Sequence, residues 1–222
     1  MTLIINQGEN YRFKGEYKRA ISLYDQAYGE ASELGDIRSQ SIALLNKGLA
    51  LLSLQEYDAA REALQHAYTL SEQWPDQHEV LPDMQIEIHH GLVEIFLHEG
   101  DYEAAWEQAM LAMAAARLAD KPVQYGYAYR LVARVLTALG QSPDPAYTDE
   151  PDEYFRRAVA AFRDVNAEGE LARTMFEHAR SLANRGRNTR AARKLQQVMM
   201  IFTKLGMTDD AAQAAELQRQ LL

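Results

Sequence analysis

The chain has 222 residues, with 23 Lys/Arg against 32 Asp/Glu for a formal net charge of −9, and no cysteine. The missing thiols exclude a disulfide framework, a thiolate metal site and a cysteine nucleophile, and the lack of any run of about 18 apolar residues excludes a membrane-spanning helix. The N-terminus, Met1-Thr2-Leu3-Ile4-Ile5-Asn6, has no leader architecture, so cytoplasmic residence is expected.

Apolar residues recur at helical spacing along nearly the whole chain. Five helix pairs are predicted, over residues 2–14 and 17–34, 37–54 and 57–73, 83–99 and 102–118, 122–139 and 152–165, and 168–185 and 188–205. A last helix is predicted over 208–221, opening on Thr208-Asp209-Asp210 as an N-cap with first-turn acids. It is expected to cover the apolar face of the fifth pair. No comparable polar cap precedes the first pair. Prolines and acids mark two loops, residues 74–83 between the second and third pairs and residues 141–151 inside the fourth.

One pattern returns five times. Its first copy is Ile4, Gln7, Gly8, Tyr11, Gly15, Tyr17, Ala20, Tyr24 and Ala27. A small residue sits in the middle of most first helices (Gly8, Gly48, Ala133, Ala179, with Val93 as the departure), and Ala20, Ala60, Ala105, Ala158 and Ala191 match it on the second helices. The turn residue is Gly15, Gly100, Gly140 or Gly186, where a helix end wants positive φ, and Gln55 in the second copy.

This arrangement resembles the tetratricopeptide repeat family, over residues 4 to 205. The family's Trp is replaced by Ile4, Leu44, His89, Tyr129 and Met175, and its closing Pro by turns such as Glu33-Leu34-Gly35-Asp36. The turn residues step by 40, 45, 40 and 46, beyond the family's period of about 34, which makes the chain more similar to the extended-repeat branch found in bacterial MalT-type and peptide-sensing regulators. The resemblance implies an all-α, right-handed superhelical solenoid of five helix pairs plus a C-terminal capping helix. It is expected to be one domain over 1–222, with repeats at 1–36, 37–81, 82–121, 122–167 and 168–207 and the cap at 208–222.

The resemblance also implies a concave groove lined by the first helix of each pair. Carried over, the groove positions are Thr2, Ile5, Glu9, Arg12 and Phe13, then Ile42, Leu45, Leu49, Leu52 and Ser53. They continue with Glu87, His90, Glu94, Leu97 and His98, then Tyr127, Arg130, Arg134, Thr137 and Ala138, and end with Arg173, Phe176, Arg180, Ala183 and Asn184. Arg130, Arg134, Arg173 and Arg180 suit bidentate capture of carboxylates, with Tyr127 and Phe176 as flat walls. The competing reading is that these arginines pair with Glu94, Glu170 or Glu177 and bridge helices. The chaperone-binding clamp of the family is not matched, because Ile5, Glu9, Glu87 and Gly91 stand where its polar residues belong and only Asn46 agrees.

The expected function is a non-catalytic protein- or peptide-binding scaffold, with an acidic peptide as partner. The rivals are a ligand- or peptide-sensing regulatory module and an adaptor that self-assembles through its uncapped first pair. No phosphate loop, nucleophile elbow or zinc helix is present, so no enzyme and no cofactor are expected. His90, Glu94 and His98 share one helix face at i, i+4 spacing, but the set spreads over about 12 Å of helix, too far for all three to hold one metal ion. Residues 154–205 carry 11 Lys/Arg against 4 Asp/Glu, a basic stretch that includes the run Arg185 to Lys194. Nucleic acid is disfavoured as its partner by the acidic chain as a whole.

Overall fold

The computed structural model describes residues 2–74 and 81–221. Among them are eleven α-helices and no strand, in two compact units, Met1–Ala119 and Asp120–Leu222.

The first unit holds α1 (Thr2–Phe13), α2 (Tyr17–Glu33), α3 (Ile37–Ser53), α4 (Tyr57–Ser71), α5 (Leu81–Glu99) and α6 (Tyr102–Ala119). The second holds α7 (Pro122–Leu139), α8 (Pro151–Asp164), α9 (Glu168–Asn184), α10 (Asn188–Lys204) and α11 (Thr208–Gln220). The helices stand where the sequence pattern puts them, with ends displaced by one or two residues. Two starts are earlier than predicted. Pro151 opens α8 and Pro82 lies in the first turn of α5, positions whose N–H has no intrahelical acceptor to lose. The predicted loop over 74–83 otherwise falls mostly outside the described residues. Its first member, Trp74, is buried in the core and donates its indole N–H to Ser41 Oγ at 3.0 Å.

The turns repeat as faithfully as the helices. At the end of α1, Gly15 N–H bonds to Arg12 O and Glu16 N–H to Tyr11 O, the paired bonds of a Schellman turn. Gln55 N–H to Leu52 O with Glu56 N–H to Leu51 O, and Gly186 N–H to Ala183 O with Arg187 N–H to Leu182 O, copy it. Gln55 accordingly adopts φ 61°, and Asn166 does the same after α8 at φ 55°. The predicted cap at Thr208 is corrected. Met207 is the N-cap residue and makes no side-chain cap bond, while Asp209 and Asp210 do occupy the first turn.

Within the first unit the backbone of α3 approaches α1 and α5 as well as its sequence neighbours. In the second unit α9 likewise approaches α7 and α11. Successive second helices touch through side chains instead, as Tyr28 of α2 and His66 of α4 do. First helices therefore form the tighter layer in each unit. The small residues let the two helices of a pair close on each other: a Cβ on Gly8 would sit 2.4 Å from the Tyr24 ring, and one on Gly48 2.7 Å from Leu64 Cγ. Gly91 and Gly126, outside the repeat pattern, are equally crowded, by Leu64 and by the Phe162 ring. At the end of the second unit, Ala211, Ala214, Leu217 and Leu221 pack on the Phe176–Phe202 core, so α11 is the capping helix expected. On α1, exposed Asn6, Gln7 and Asn10 give the outer stripe polar character, with Leu3 and Phe13 as exposed apolar exceptions.

Candidate functional site

Two surfaces carry the residues singled out by sequence, one in each unit. In the first, a cavity of about 540 Å³ is lined by Arg12, Leu49, Leu52, Ser53, Tyr57, His90, Glu94, Leu97 and His98. Eight of these nine lie on α1, α3 and α5 at groove positions. The ninth, Tyr57, begins α4 and stacks on the His98 ring with centroids 4.0 Å apart. His90 Nε2 lies 3.5 Å from Glu94 Oε1. Leu49, Leu52 and Leu97 supply the apolar part of the lining.

Arg12 is the cation of this cavity. Its Nε is buried without a hydrogen-bond acceptor, as is the hydroxyl of the nearby core residue Tyr24. Burial pushes the Tyr24 phenol up in pKa, and the adjacent guanidinium pulls it back only in part. Glu87, one turn before His90 and Gly91, is exposed to solvent along part of its side chain. Desolvation raises its pKa, Arg12 opposes the rise, and Glu9 and Asp83 add to it.

In the second unit the four arginines form two triads. Glu170 accepts Arg130 Nη1 at 2.8 Å and Arg173 Nη1 at 3.0 Å. Glu177 lies 3.6 Å from Arg134 Nε and accepts Arg180 Nη1 at 3.0 Å. Burial raises the Glu170 pKa, but the two guanidiniums outweigh it and hold the carboxyl below its usual range. Asp210 of α11 stands 3.5 Å from Arg173 Nη2. Of the three carboxylates foreseen as bridging partners, Glu170 and Glu177 do bridge, while Glu94 faces His90 in the other unit. Arg130 and Arg134 are largely covered, at 12% and 15% side-chain exposure, whereas Arg173 and Arg180 remain near half exposed, at 50% and 47%.

The aromatic neighbours differ from each other. Tyr127 lies beneath Arg130 at 5.2 Å and edge-on to Phe162 at 5.1 Å. Phe176 is a core residue, edge-on to Phe202, with Arg180 over its ring at 5.9 Å, and presents only 6% of its surface. Asn184 is exposed one turn beyond Arg180.

Sequence reasoning did not foresee a third grouping. Asp152, in the first turn of α8, takes His178 Nε2 at 3.2 Å, Arg187 Nη1 at 3.0 Å, and Arg185 Nη2. These contacts span the fourth and fifth pairs, which no spacing rule within one helix reveals. Among the described residues no set of three His, Cys, Asp or Glu side chains is placed to hold a metal ion, and no helix is long and apolar enough to cross a membrane.

Comparison with known proteins follows the same lines. A tetratricopeptide repeat profile matches residues 42–73, which is most of α3 and all of α4. The human SH3 domain and tetratricopeptide repeat-containing protein 2 is 25% identical over 210 residues, covering 90% of this chain. The chain spans 15% of that protein's length. Among solved structures, the apo form of RapI superposes with a TM-score of 0.74 at 14% identity, over 100% of this chain and 77% of the other. Aspartyl phosphate phosphatase F from Bacillus subtilis gives 0.73 at 18% identity, over 99% and 55%. A putative kinesin light chain of TPR-like repeats from Podosopora anserina gives 0.63 at 17%, over 93% and 96%.

Proposed function

We propose that this tetratricopeptide repeat protein is a non-catalytic scaffold that takes a peptide or protein segment on the face formed by its first helices, and that the segment is acidic. The observation that carries the reading is the cavity in the first unit. Its lining comes almost wholly from first helices and combines a leucine wall with an arginine whose Nε lacks an acceptor, the mixture of apolar lining and few polar anchors typical of recognition sites.

The preference for acid is supported by the second unit. Each Arg–Glu–Arg triad carries one more positive charge than negative. The covered member stays with its glutamate, and the exposed member, Arg173 or Arg180, can turn a guanidinium edge to an incoming carboxylate. Asp210 already offsets part of the surplus at Arg173, so Arg180 is the stronger anchor. Such an exposed contact contributes about 1 kcal/mol or less by itself and sets selectivity and encounter rate more than affinity. The leucine-lined cavity of the first unit supplies apolar burial to a segment bound there.

Panning a random peptide display library against the purified protein tests this. Selected peptides are expected to combine Asp or Glu with a bulky apolar residue. Acid-rich peptides are expected to bind more weakly to R173Q/R180Q, and peptides held by an apolar residue to L52Q/L97Q, with both variants folded by circular dichroism. Selection of peptides without acid enrichment would remove the acidic specificity. Binding indifferent to both variants would remove the first-helix face as the site.

A further inference from the structure

The corner between α9 and α10 holds a second, independent surface. Arg185 ends α9, Arg187 precedes α10, and Arg187, Arg190 and Lys194 follow one another at i, i+3 and i+7, so they share one face of α10. The ion pairs of Arg185 and Arg187 both end on Asp152, using its two oxygens, and His178 takes the Oδ1 side as well. Arg190 is exposed and meets no carboxylate at ion-pair distance among the described residues. The first turn of α10 contains no acid, although a helix N-terminus favours one.

The charge balance at this corner is therefore lopsided. His178 is packed face to face on Phe155 at 4.9 Å. Burial, then the nearby Lys194, pushes its pKa down to about 4 despite Asp152, so it is neutral near pH 7. The Lys194 ammonium is lowered by burial, with Asp152 only partly restoring it. One carboxylate thus faces Arg185, Arg187 and Lys194, with the exposed Arg190 on the same face of α10. Asp152 lies on the inner side, with its side chain 21% exposed, and fixes the guanidiniums there, while Arg187 is still 40% exposed.

We propose that this corner is a binding site for a phosphorylated side chain on a partner protein, gripped by Arg187, Arg190 and Lys194 with Asp152 as the inner anchor that orients the guanidiniums. A phosphomonoester carries roughly −1.5 to −2 charges at neutral pH and three acceptor oxygens, which matches a surplus of more than one positive charge. Guanidinium forks suit its planar edges. A single carboxylate cannot neutralise the surplus. A nucleic acid presents one charge per phosphate and brings its other phosphates against a chain of net charge −9.

The test uses the full chain and a pool of phosphoserine and phosphothreonine peptides with randomised neutral flanks, beside the unphosphorylated pool, inorganic phosphate and a single-stranded oligonucleotide. Binding is read by fluorescence anisotropy for the labelled peptides and the oligonucleotide, and by calorimetry for phosphate. The phosphorylated pool is expected to bind, the plain pool not, and R187Q/R190Q to weaken binding at least about tenfold. R173Q/R180Q is expected to leave it unchanged, which separates this surface from the groove reading. No binding of the phosphorylated pool, equal binding of the plain pool, or full binding by R187Q/R190Q overturns the proposal. Tighter binding of the oligonucleotide than of the peptides overturns the choice of partner. Binding of inorganic phosphate equal to that of the peptides shows a free-anion site and overturns the docking role.

Discussion

The two units use the same helix pair to make opposite kinds of surface. In the first, the groove positions of α3 and α5 carry leucines and histidines around a cavity, and the cation, Arg12, comes from α1. In the second, the equivalent positions of α7 and α9 carry four arginines, and carboxylates of α9 and α11 neutralise most of that charge. The close-packing positions are alike: Gly8 and Gly48 in one unit and Ala133 and Ala179 in the other occupy the same place in the pair, with Val93 as the departure. Repeat packing constrains only the positions that face a neighbouring helix, so the groove positions are free to take different chemistry in each copy.

That contrast can be broken most forcefully through the cores. Phe162, fully buried against Gly126 and Tyr127, is expected to cost about 3–5 kcal/mol when replaced by Ala, measured by urea denaturation. A loss below about 1 kcal/mol would mean that the second unit is not organised around this ring.

The second unit should also be the more sensitive to acid. Burial pushes the His178 imidazole down to about 4 in the folded chain, against roughly 6.5 for a solvated imidazole. Between those values the unfolded chain binds the extra proton. Stability therefore falls as pH drops from 6.5 to about 4, by on the order of 3 kcal/mol. Glu170 and Asp152, whose pKa values are lowered, lose their contributions further down the scale. Denaturation free energies at pH 7 and at pH 4 for wild type and H178F measure it, and an equal slope in both proteins would assign the acid loss elsewhere. His89 in the first unit is shifted in the same direction by burial, opposed by its bond to Gln108, and adds a loss of the same sign.

A smaller effect is expected at the close approach of α3 and α4. G48A places a Cβ 2.7 Å from Leu64 Cγ and should cost about 1–3 kcal/mol. The double change G48A/L64A should cost less than the sum of the two single changes, because the second removes the atoms that the first meets. Additive costs would show that Gly48 serves something other than this contact. The smallest effect is at the turns. Q55G relieves a non-glycine residue at φ 61° and should stabilise the chain by up to about 1 kcal/mol, whereas G186A, at φ 71°, should destabilise by a similar amount.

Much of this was legible in the sequence because the repeat states it five times. The period fixed the pairing of helices, the glycines fixed the turns, and Gln55 could be assigned a left-handed conformation by its place in the pattern alone. The groove list found eight of the nine cavity residues, since position within a repeat decides which way a helix face points. It missed Tyr57, which serves the turn between α3 and α4 and the cavity together. Phe176 sits at a groove position, yet its ring turns inward to Phe202, a rotamer choice that periodicity does not encode. The Asp152 cluster was out of reach for a different reason. Its members are separated by 26 to 35 residues, and only the packing of α8 against α9 brings them together. Thr208 shows the limit of composition: a residue with cap chemistry stands one place too late to cap.

Photo-crosslinking would show whether a bound peptide lies on the first-helix face. A peptide selected from the display library, carrying a benzophenone at its apolar residue, would be crosslinked to the wild-type protein and the adducts mapped by mass spectrometry. Adducts on α3 and α5, around Leu52 and Leu97, or on α7 and α9, around Tyr127 and Arg180, are the expected result. Adducts confined to α2, α4, α6, α8 or α10 would contradict the account.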